Sequence, residues 1–484
     1  MRPKLNFLTE ELVTRIVDEA LEILAKLGVE MHDAEAAGLL AANGAEVISG
    51  RMRLPRALVE RSLKSVPAGF RLYNTAGEET HHLAGDNVYF TPGSAALNIL
   101  DFDTGLMRRP KTADYVEYAK LVSGLEHIAA QSTAMIPDDV PAEVQDSYRL
   151  YLSLLYCAKP VVTGCFTAGS FGLMRDMQVC VRGSAEALEQ RPLTVFSCCP
   201  TAPLKWSAET ARNVVDCARA AIPVEFISMP LSGFMAPVTL VGTLVQHAAE
   251  TLSGVVISQL ARPGAPILWG GSPAIFDVRR ETTPMGAIET MMLDCAYSEI
   301  GHHLGMPTQA YIGLSDAKLL DAQAGLETGV GATLAALSGI NSVSGPGMLD
   351  FESCQSLEKL VLDNEVCGMA MRLARGIEPR DDFPALPLFD ELLREKHLLI
   401  SRHTRKWLKT EHYFPGPVID RANRSRWQQE GSRTLKQRAR GERERLVAIW
   451  RPPDVSGDVR RELTRLMAGE ARRFGMDRLP ALPE

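Results

Sequence analysis

Five polar side chains crowd into nine residues of "GLSDAKLLDAQAG" (313–325): Ser315, Asp316, Lys318, Asp321 and Gln323. They follow Ala310-Tyr311-Ile312, an apolar stretch that reads as a buried strand. A carboxylate there can hold a cation or move a proton. A lysine can form a Schiff base with a carbonyl substrate, although Lys318, two residues past the strand end and beside acids, reads better as an ion pair. Asp321 suits a helix cap, with Gln323 in the first turn behind it. Asp316 is therefore the expected catalytic residue, and Tyr311, Ser315 and Gln323 are expected to line the substrate pocket.

Conventional catalysts are scarce elsewhere. H-E-x-x-H and G-x-S-x-G are both absent, which argues against a zincin and against a serine hydrolase of the nucleophile-elbow class. His81, His82 and His247 have no metal-ligand spacing, and His302 and His303 fall late in a helix-period segment. No metal site is expected. Aromatic residues instead accompany carboxylates near the ends of apolar runs: Tyr89, Phe90, Phe166, Trp269 and Phe351, with Asp350 and Asp316. A quaternary ammonium is held in this way, because its nitrogen has no proton to donate. Each cation–π contact contributes about 0.5–2 kcal/mol.

The elements that must position these residues repeat along the chain. "KPVVTGCFTAG", "RPLTVFSCCP", "IPVEFISMP", "APILWGGSP" and "MPTQAYIGLSD" each start at a proline, run apolar, and end in a turn. Proline stops the preceding helix and is tolerated where a strand begins. Continuous apolar runs suit parallel strands covered on both faces. Helix-period segments separate them, "IAAQSTAMIPDD" fits an earlier strand, "GINSVSGPGM" fits a later one, and 87–100 offers an eighth. The expected fold is α/β, a (β/α)8 TIM-type barrel. The expected domains are a helical and hairpin preface over 1–86, the barrel over 87–376, and a helical extension over 377–484 that packs on the barrel. The G-x-G in "GVGATLAAL" lies inside a helix-period segment and reads as packing rather than nucleotide binding.

Composition excludes several classes. The 484 residues are 46% hydrophobic and 23% charged with net charge −7, which suits a large globular core and gives no long-range attraction to nucleic acid. Nine cysteines form no C-x-x-C pair, so free thiols in a reducing, cytoplasmic setting are expected. The N-terminal segment reads as an amphipathic helix rather than a signal peptide. No apolar run is expected to reach the roughly 20 residues of a membrane span, so no membrane partner is expected.

Three long stretches, "MAPVTLVGTLVQHAAETLSGVVISQLARPGAPILWGG", "GLSDAKLLDAQAGLETGVGATLAALSGIN" and "GMLDFESCQSLEKLVLDNEVCGM", resemble the trimethylamine methyltransferase family of corrinoid-dependent barrel enzymes. The resemblance runs from the N-terminal helix to the Arg-rich C-terminal helices. It implies methyl transfer from an amine to the Co(I) of a separate corrinoid protein. With only standard residues, the chain resembles the subgroup without pyrrolysine, which includes enzymes for glycine betaine-like quaternary amines. The chemistry is consistent: a quaternary ammonium already has a neutral amine as leaving group, so no general acid is required. No D-x-H-x-x-G stretch is present, so the chain is expected to bind no cofactor itself and to receive the corrinoid (cobalamin) from its partner. A homo-oligomer is also expected. The alternatives weighed against this reading are a non-catalytic betaine-binding barrel and a Schiff-base lyase using Lys318.

Overall fold

The computed structural model describes residues 2–167 and 169–483. Its architecture is mixed α/β, with most of the long-range strand pairs parallel. Eight short strands carry the centre: β1 Tyr89–Thr91, β2 Gln131–Ser132, β3 Val161–Thr163, β4 Thr194–Cys198, β5 Val224–Phe226, β6 Ile267–Leu268, β7 Gln309–Tyr311 and β8 Ser342–Ser344. β2 to β6 form one parallel sheet in chain order, and β7, β8 and β1 form a second.

Backbone bonds bridge the sheets at both seams. Between β6 and β7, the N–H of Trp269 donates to the carbonyl of Pro307 (2.8 Å), and the N–H of Gln309 to the carbonyl of Trp269 (3.0 Å). Between β1 and β2, the N–H of Ala129 donates to the carbonyl of Phe90 (2.8 Å). Phe90 and Trp269 thus sit on the seams, and the segment over 87–100 does supply a strand.

A helix follows each strand: α1 Thr112–Gly124, α2 Gln145–Tyr156, α3 Ser170–Arg182, α4 Ala208–Arg219, α5 Leu240–Ala261, α6 Ile288–His303, α7 Ala322–Ser338 and α8 Leu357–Ala374. Side-chain caps start several of them, Ser207 for α4, Thr239 for α5, Asp321 for α7 and Ser356 for α8, each satisfying an orphan N–H of the first turn. The strands contribute most of their outward side chains to one continuous core with these helices.

α5 is the exception to the composition reading. Its 22 residues are long and apolar enough to cross a membrane by length and composition alone. Yet 72% of its most apolar window is buried, against the N-terminal helix Glu10–Lys26, α4 and α6. Mostly apolar around its circumference and mostly buried, it is a core helix.

The strands' inward side chains change character along the axis. Tyr89, Val162, Val195 and Leu268 fill the N-terminal end. They are sealed by Leu72 and Leu83 of the hairpin Gly69–Tyr73/Glu79–Ala84, so part of the 1–86 segment plugs the closed end. All nine cysteines are free; Cys180 and Cys199 are half-buried and the rest buried.

Candidate active site

Above that apolar floor, polar side chains replace aliphatic ones. Ser197 on β4 and Glu225 on β5 are register partners, and Ser197 Oγ donates to Glu225 Oε1 at 2.6 Å. Tyr311, at the end of β7, shares a hydrogen bond of 3.2 Å between its hydroxyl and Ser94 Oγ. The backbone N–H of Ser94 acts on the Glu352 carboxyl and lowers its pKa. Glu225 and Glu352 both act electrostatically on Tyr311, and Glu225 acts on Glu352. Gln309, at the start of β7, accepts the N–H of Gly271 through Oε1 (3.2 Å).

Several polar atoms here have no partner among the described residues: Glu225 Oε2, Glu352 Oε1, Gln309 Nε2 and Ser344 Oγ. A buried polar atom left unpaired costs about 1–3 kcal/mol, and such a cluster on facing strands marks a surface that meets something else. Gly270 keeps it open. A Cβ there would lie 2.5 Å from Gln309 Oε1 and 2.8 Å from the carbonyl of Phe226.

Burial sets the charge state. It pushes the Glu225 carboxyl up to about 7 against the lowering effect of Ser197. Burial likewise pushes Glu352 up to about 8, the Ser94 N–H opposing it and the Glu225 charge adding to it. Among the described residues, no lysine or arginine is among the influences on either carboxyl. The site thus holds two acids near their midpoint at neutral pH, with no cation among the described residues acting on either. Burial also keeps the Cys199 thiol protonated, pushing it up to about 12. Ser94, Cys199 and Glu352 are half-buried, so the cluster is reached from the C-terminal ends of the strands.

Glu352 arrives there on strained backbone. Asp350, Phe351 and Glu352 all have positive φ, 51°, 55° and 68°. Each non-glycine residue in this region costs about 1–2 kcal/mol. The turn joins the antiparallel pair Met348–Leu349/Cys354–Gln355. Lys318 holds it from outside: Nζ lies 3.3 Å from Asp350 Oδ1, 3.7 Å from the centre of the Phe351 ring, and donates to the carbonyl of Asp316 at 2.6 Å. The lysine is an ion-paired anchor, and the Schiff-base alternative is left with no unengaged amine.

The other residues of the 313–325 stretch also clamp loops. Asp316 accepts the N–H groups of Met285 (3.0 Å) and Gly286 (2.8 Å), one on each oxygen. Burial pushes its carboxyl up to about 6 against these bonds. Glu327 on α7 accepts Ser315 Oγ (2.6 Å), the N–H of Asp316 (2.8 Å) and Gln323 Nε2 (2.9 Å). Ser315, Asp316 and Gln323 thus form one network that ties the loop after β7 to the loop before α6.

The expected aromatic residues divide. Tyr311 lies in the carboxyl cluster, and Phe351 lies beside it in the Glu352 turn. Phe166 is 58% exposed at the rim; its loop is held by Asp146, whose Oδ2 accepts the N–H groups of Phe166 (2.6 Å) and Thr167 (2.8 Å) while Oδ1 pairs with buried Arg149 at 2.6 Å. Tyr89 is inward but in the floor layer, donating no contact to the cluster; its hydroxyl accepts the His82 N–H at 3.1 Å. Phe90 faces the helix layer and is fully buried. Trp269 is buried there too: its Nε1 donates to the carbonyl of Tyr297 on α6 (2.9 Å), and its ring meets His247 edge-on. Strand parity decides these last two, because neighbours on a strand point to opposite faces.

Glu225, Glu352, Gln309 and Ser197 escaped the sequence reading. A signal existed for two of them. Glu225 interrupts "IPVEFISMP" and Gln309 interrupts "MPTQAYIG", polar residues inside otherwise apolar strands. Glu352 had none, since nothing in "DFESC" announces left-handed backbone. Among the described residues no cluster of His, Cys, Asp and Glu could hold a metal ion.

Comparison with known proteins is consistent across the chain. The family model for trimethylamine methyltransferase (MTTB) matches residues 1–475. A glycine betaine methyltransferase of Desulfitobacterium hafniense (strain Y51) is 30% identical over 98% of this chain and 98% of its own length. Trimethylamine methyltransferase MttB of Methanosarcina thermophila is 30% identical over 89% of this chain and 90% of its own. The crystal structure of the Methanosarcina barkeri monomethylamine methyltransferase MtmB covers 92% of this chain and 89% of its own at 12% identity, with a TM-score of 0.48.

Proposed function

Because the chain belongs to the trimethylamine methyltransferase family and is a methyltransferase, we propose that it moves a methyl group from a glycine betaine-like quaternary amine to the Co(I) corrinoid of a separate corrinoid protein. The scaffold in this reading is a (β/α)8 barrel over 87–376, and the bonds across both seams support its closure. The observation that carries the reading is the pair of buried carboxyls, Glu225 and Glu352, with no cationic side chain among the described residues acting on them.

The substrate's ammonium is held by these carboxyls and by the Tyr311 ring and hydroxyl. The reaction is an in-line displacement. The cobalt electron pair of the partner's corrinoid forms the new carbon–cobalt bond, and the N–CH₃ pair stays on nitrogen as a neutral tertiary amine leaves. Charge is annihilated, so an enclosed site that strips water from the cation favours the step. Two fully ionised carboxylates would hold the ground state back. Carboxyls poised near neutrality avoid that and still compensate the bound cation. Positioning along the N–CH₃ axis supplies much of the remaining rate. Exposed apolar side chains at the rim, Phe166, Met229 and Phe234, suit coverage by the corrinoid protein.

The test is spectral. Protein, reduced corrinoid protein and glycine betaine are mixed anaerobically, and the Co(I) absorption is expected to give way to that of methyl–Co(III). If neither glycine betaine nor any other methylated amine moves the spectrum, the activity is wrong.

A further inference from the structure

The segment 377–400 carries large apolar side chains that no other described residue covers. Ile377 is 90% exposed, Phe383 83% and Leu386 79%; Phe389, Leu393 and the Leu399–Ile400 pair are exposed as well. Its one helix, Leu386–Glu395, has no buried residue. A ten-residue helix is marginal in water without a partner surface. Exposed apolar clusters of this size mark interaction sites. The segment is also acidic, six Asp and Glu against three Lys and Arg.

Shortly after it the chain builds a concave surface of about 840 Å³ between the 414–422 loop and the helices Arg424–Gln429 and Leu435–Ala448. Its lining includes Phe414, Pro415, Ile419 and Trp427, with five arginines against three acids. Phe414 is 62% exposed. An apolar, acidic arm and an apolar, basic cavity are complementary in both respects, and the arm contributes no residue to its own chain's cavity.

We propose that the arm over 377–400 docks into the Arg- and Trp-lined cavity of a second copy of this chain, reciprocally, to form a two-fold dimer. Reciprocal exchange closes the assembly, whereas one-way insertion would propagate. Two phenylalanines at about 150–250 Å² each, with five aliphatic side chains, supply most of the roughly 800 Å² per partner of a stable interface. Among the described residues, Asp382 and Glu391 of the arm and Arg421 and Arg433 of the cavity stand outside the chain's own salt bridges, and these acids against these arginines set register and orientation.

The full-length protein is tested by size exclusion with light scattering and by cross-linking. Wild type is expected to be dimeric at micromolar concentration. The double variant Leu386→Asp/Phe389→Asp is expected to associate about 100-fold more weakly with unchanged circular dichroism. Arg421→Glu/Arg433→Glu, on the cavity side, should weaken the dimer as well. Phe389→Cys paired with Trp427→Cys should give a disulfide between chains. A monomeric wild type, a dimer indifferent to both variants, or a disulfide formed within one chain would overturn the proposal. So would a monomer whose arm variant loses only its rate with corrinoid protein, because the arm's partner would then be that protein.

Discussion

Ser197 Oγ donates to Glu225 Oε1 at 2.6 Å from one parallel strand to the next, and Oε2 of the same carboxyl has no partner among the described residues. One half of the group is fixed to the scaffold, and the other is left for a ligand. The Glu225 carboxyl, ordinarily near 4.5, is raised to about 7 by burial, so the folded state binds this proton more tightly than the unfolded chain. Stability from the group is fully present below about pH 4.5 and is lost as pH rises through about 7. At about 1.4 kcal/mol per pH unit the loss is about 3 kcal/mol. Glu225→Gln removes the titration. The stability of the variant relative to wild type is expected to rise over that window, as read by chemical denaturation at pH 5 and pH 8. A constant difference between the two pH values would show that Glu225 does not titrate there.

Ligand binding should report the same pair. A bound ammonium favours the ionised carboxyls, so affinity for a quaternary amine is expected to strengthen as pH rises through about 7 and about 8, with proton release. Calorimetry in two buffers of different ionisation enthalpy measures the protons released. Binding that is independent of pH and releases none would separate the carboxyls from the ligand.

Lys318 is expected to act through the Glu352 turn. Three consecutive left-handed residues need an external hold, and the Lys318 contacts to Asp350 and Phe351 supply it. Lys318→Met should lower kcat about 10-fold and shift the fall in kcat at alkaline pH that full ionisation of Glu352 is expected to cause, with Tm little changed because the pair is half-exposed. Arginine at 318 should restore part of the rate. An unchanged pH profile would reduce Lys318 to a surface ion pair.

Much of this architecture was legible in the sequence. Proline-initiated apolar runs marked β3 to β7, and the short segment at 89–91 was a candidate before it paired with β8. Asp321 was recognisable as a cap and does accept the N–H groups of Gln323 and Ala324. The site was less legible, because strand parity is invisible when both faces of a strand are apolar. Trp269 and Leu268 read alike, yet one enters the helix layer and the other the floor. Asp316 drew attention as a strand-end carboxylate, but two backbone N–H groups already occupy it.

Gly270 offers a steric test of the polar layer. A methyl group there collides with Gln309 and with the Phe226 carbonyl, and overpacking of this kind costs about 1–3 kcal/mol. Gly270→Ala is expected to lower Tm modestly and to cut activity more than stability, since Gln309 must move. Activity equal to wild type would remove Gln309 from the site.

The buried Lys359–Asp363 pair, at 2.5 Å, supports the loop after β8 through the Gly347 N–H on Asp363 Oδ2. Removing one partner of a buried pair costs about 3–5 kcal/mol. Lys359→Met is expected to destabilise by that order in thermal unfolding, and a loss under about 1 kcal/mol would show that the pair is dispensable.

The central claim is tested most directly by following the methyl group itself. Glycine betaine labelled with trideuteromethyl groups is incubated with the protein and reduced corrinoid protein in a single turnover, and both products are read by mass spectrometry. Labelled methyl on the partner's cobalt is expected in equal amount to dimethylglycine, with the rate sharply reduced in Glu225→Gln/Glu352→Gln. Dimethylglycine without labelled methyl–cobalt, or full activity in the double variant, would contradict the account.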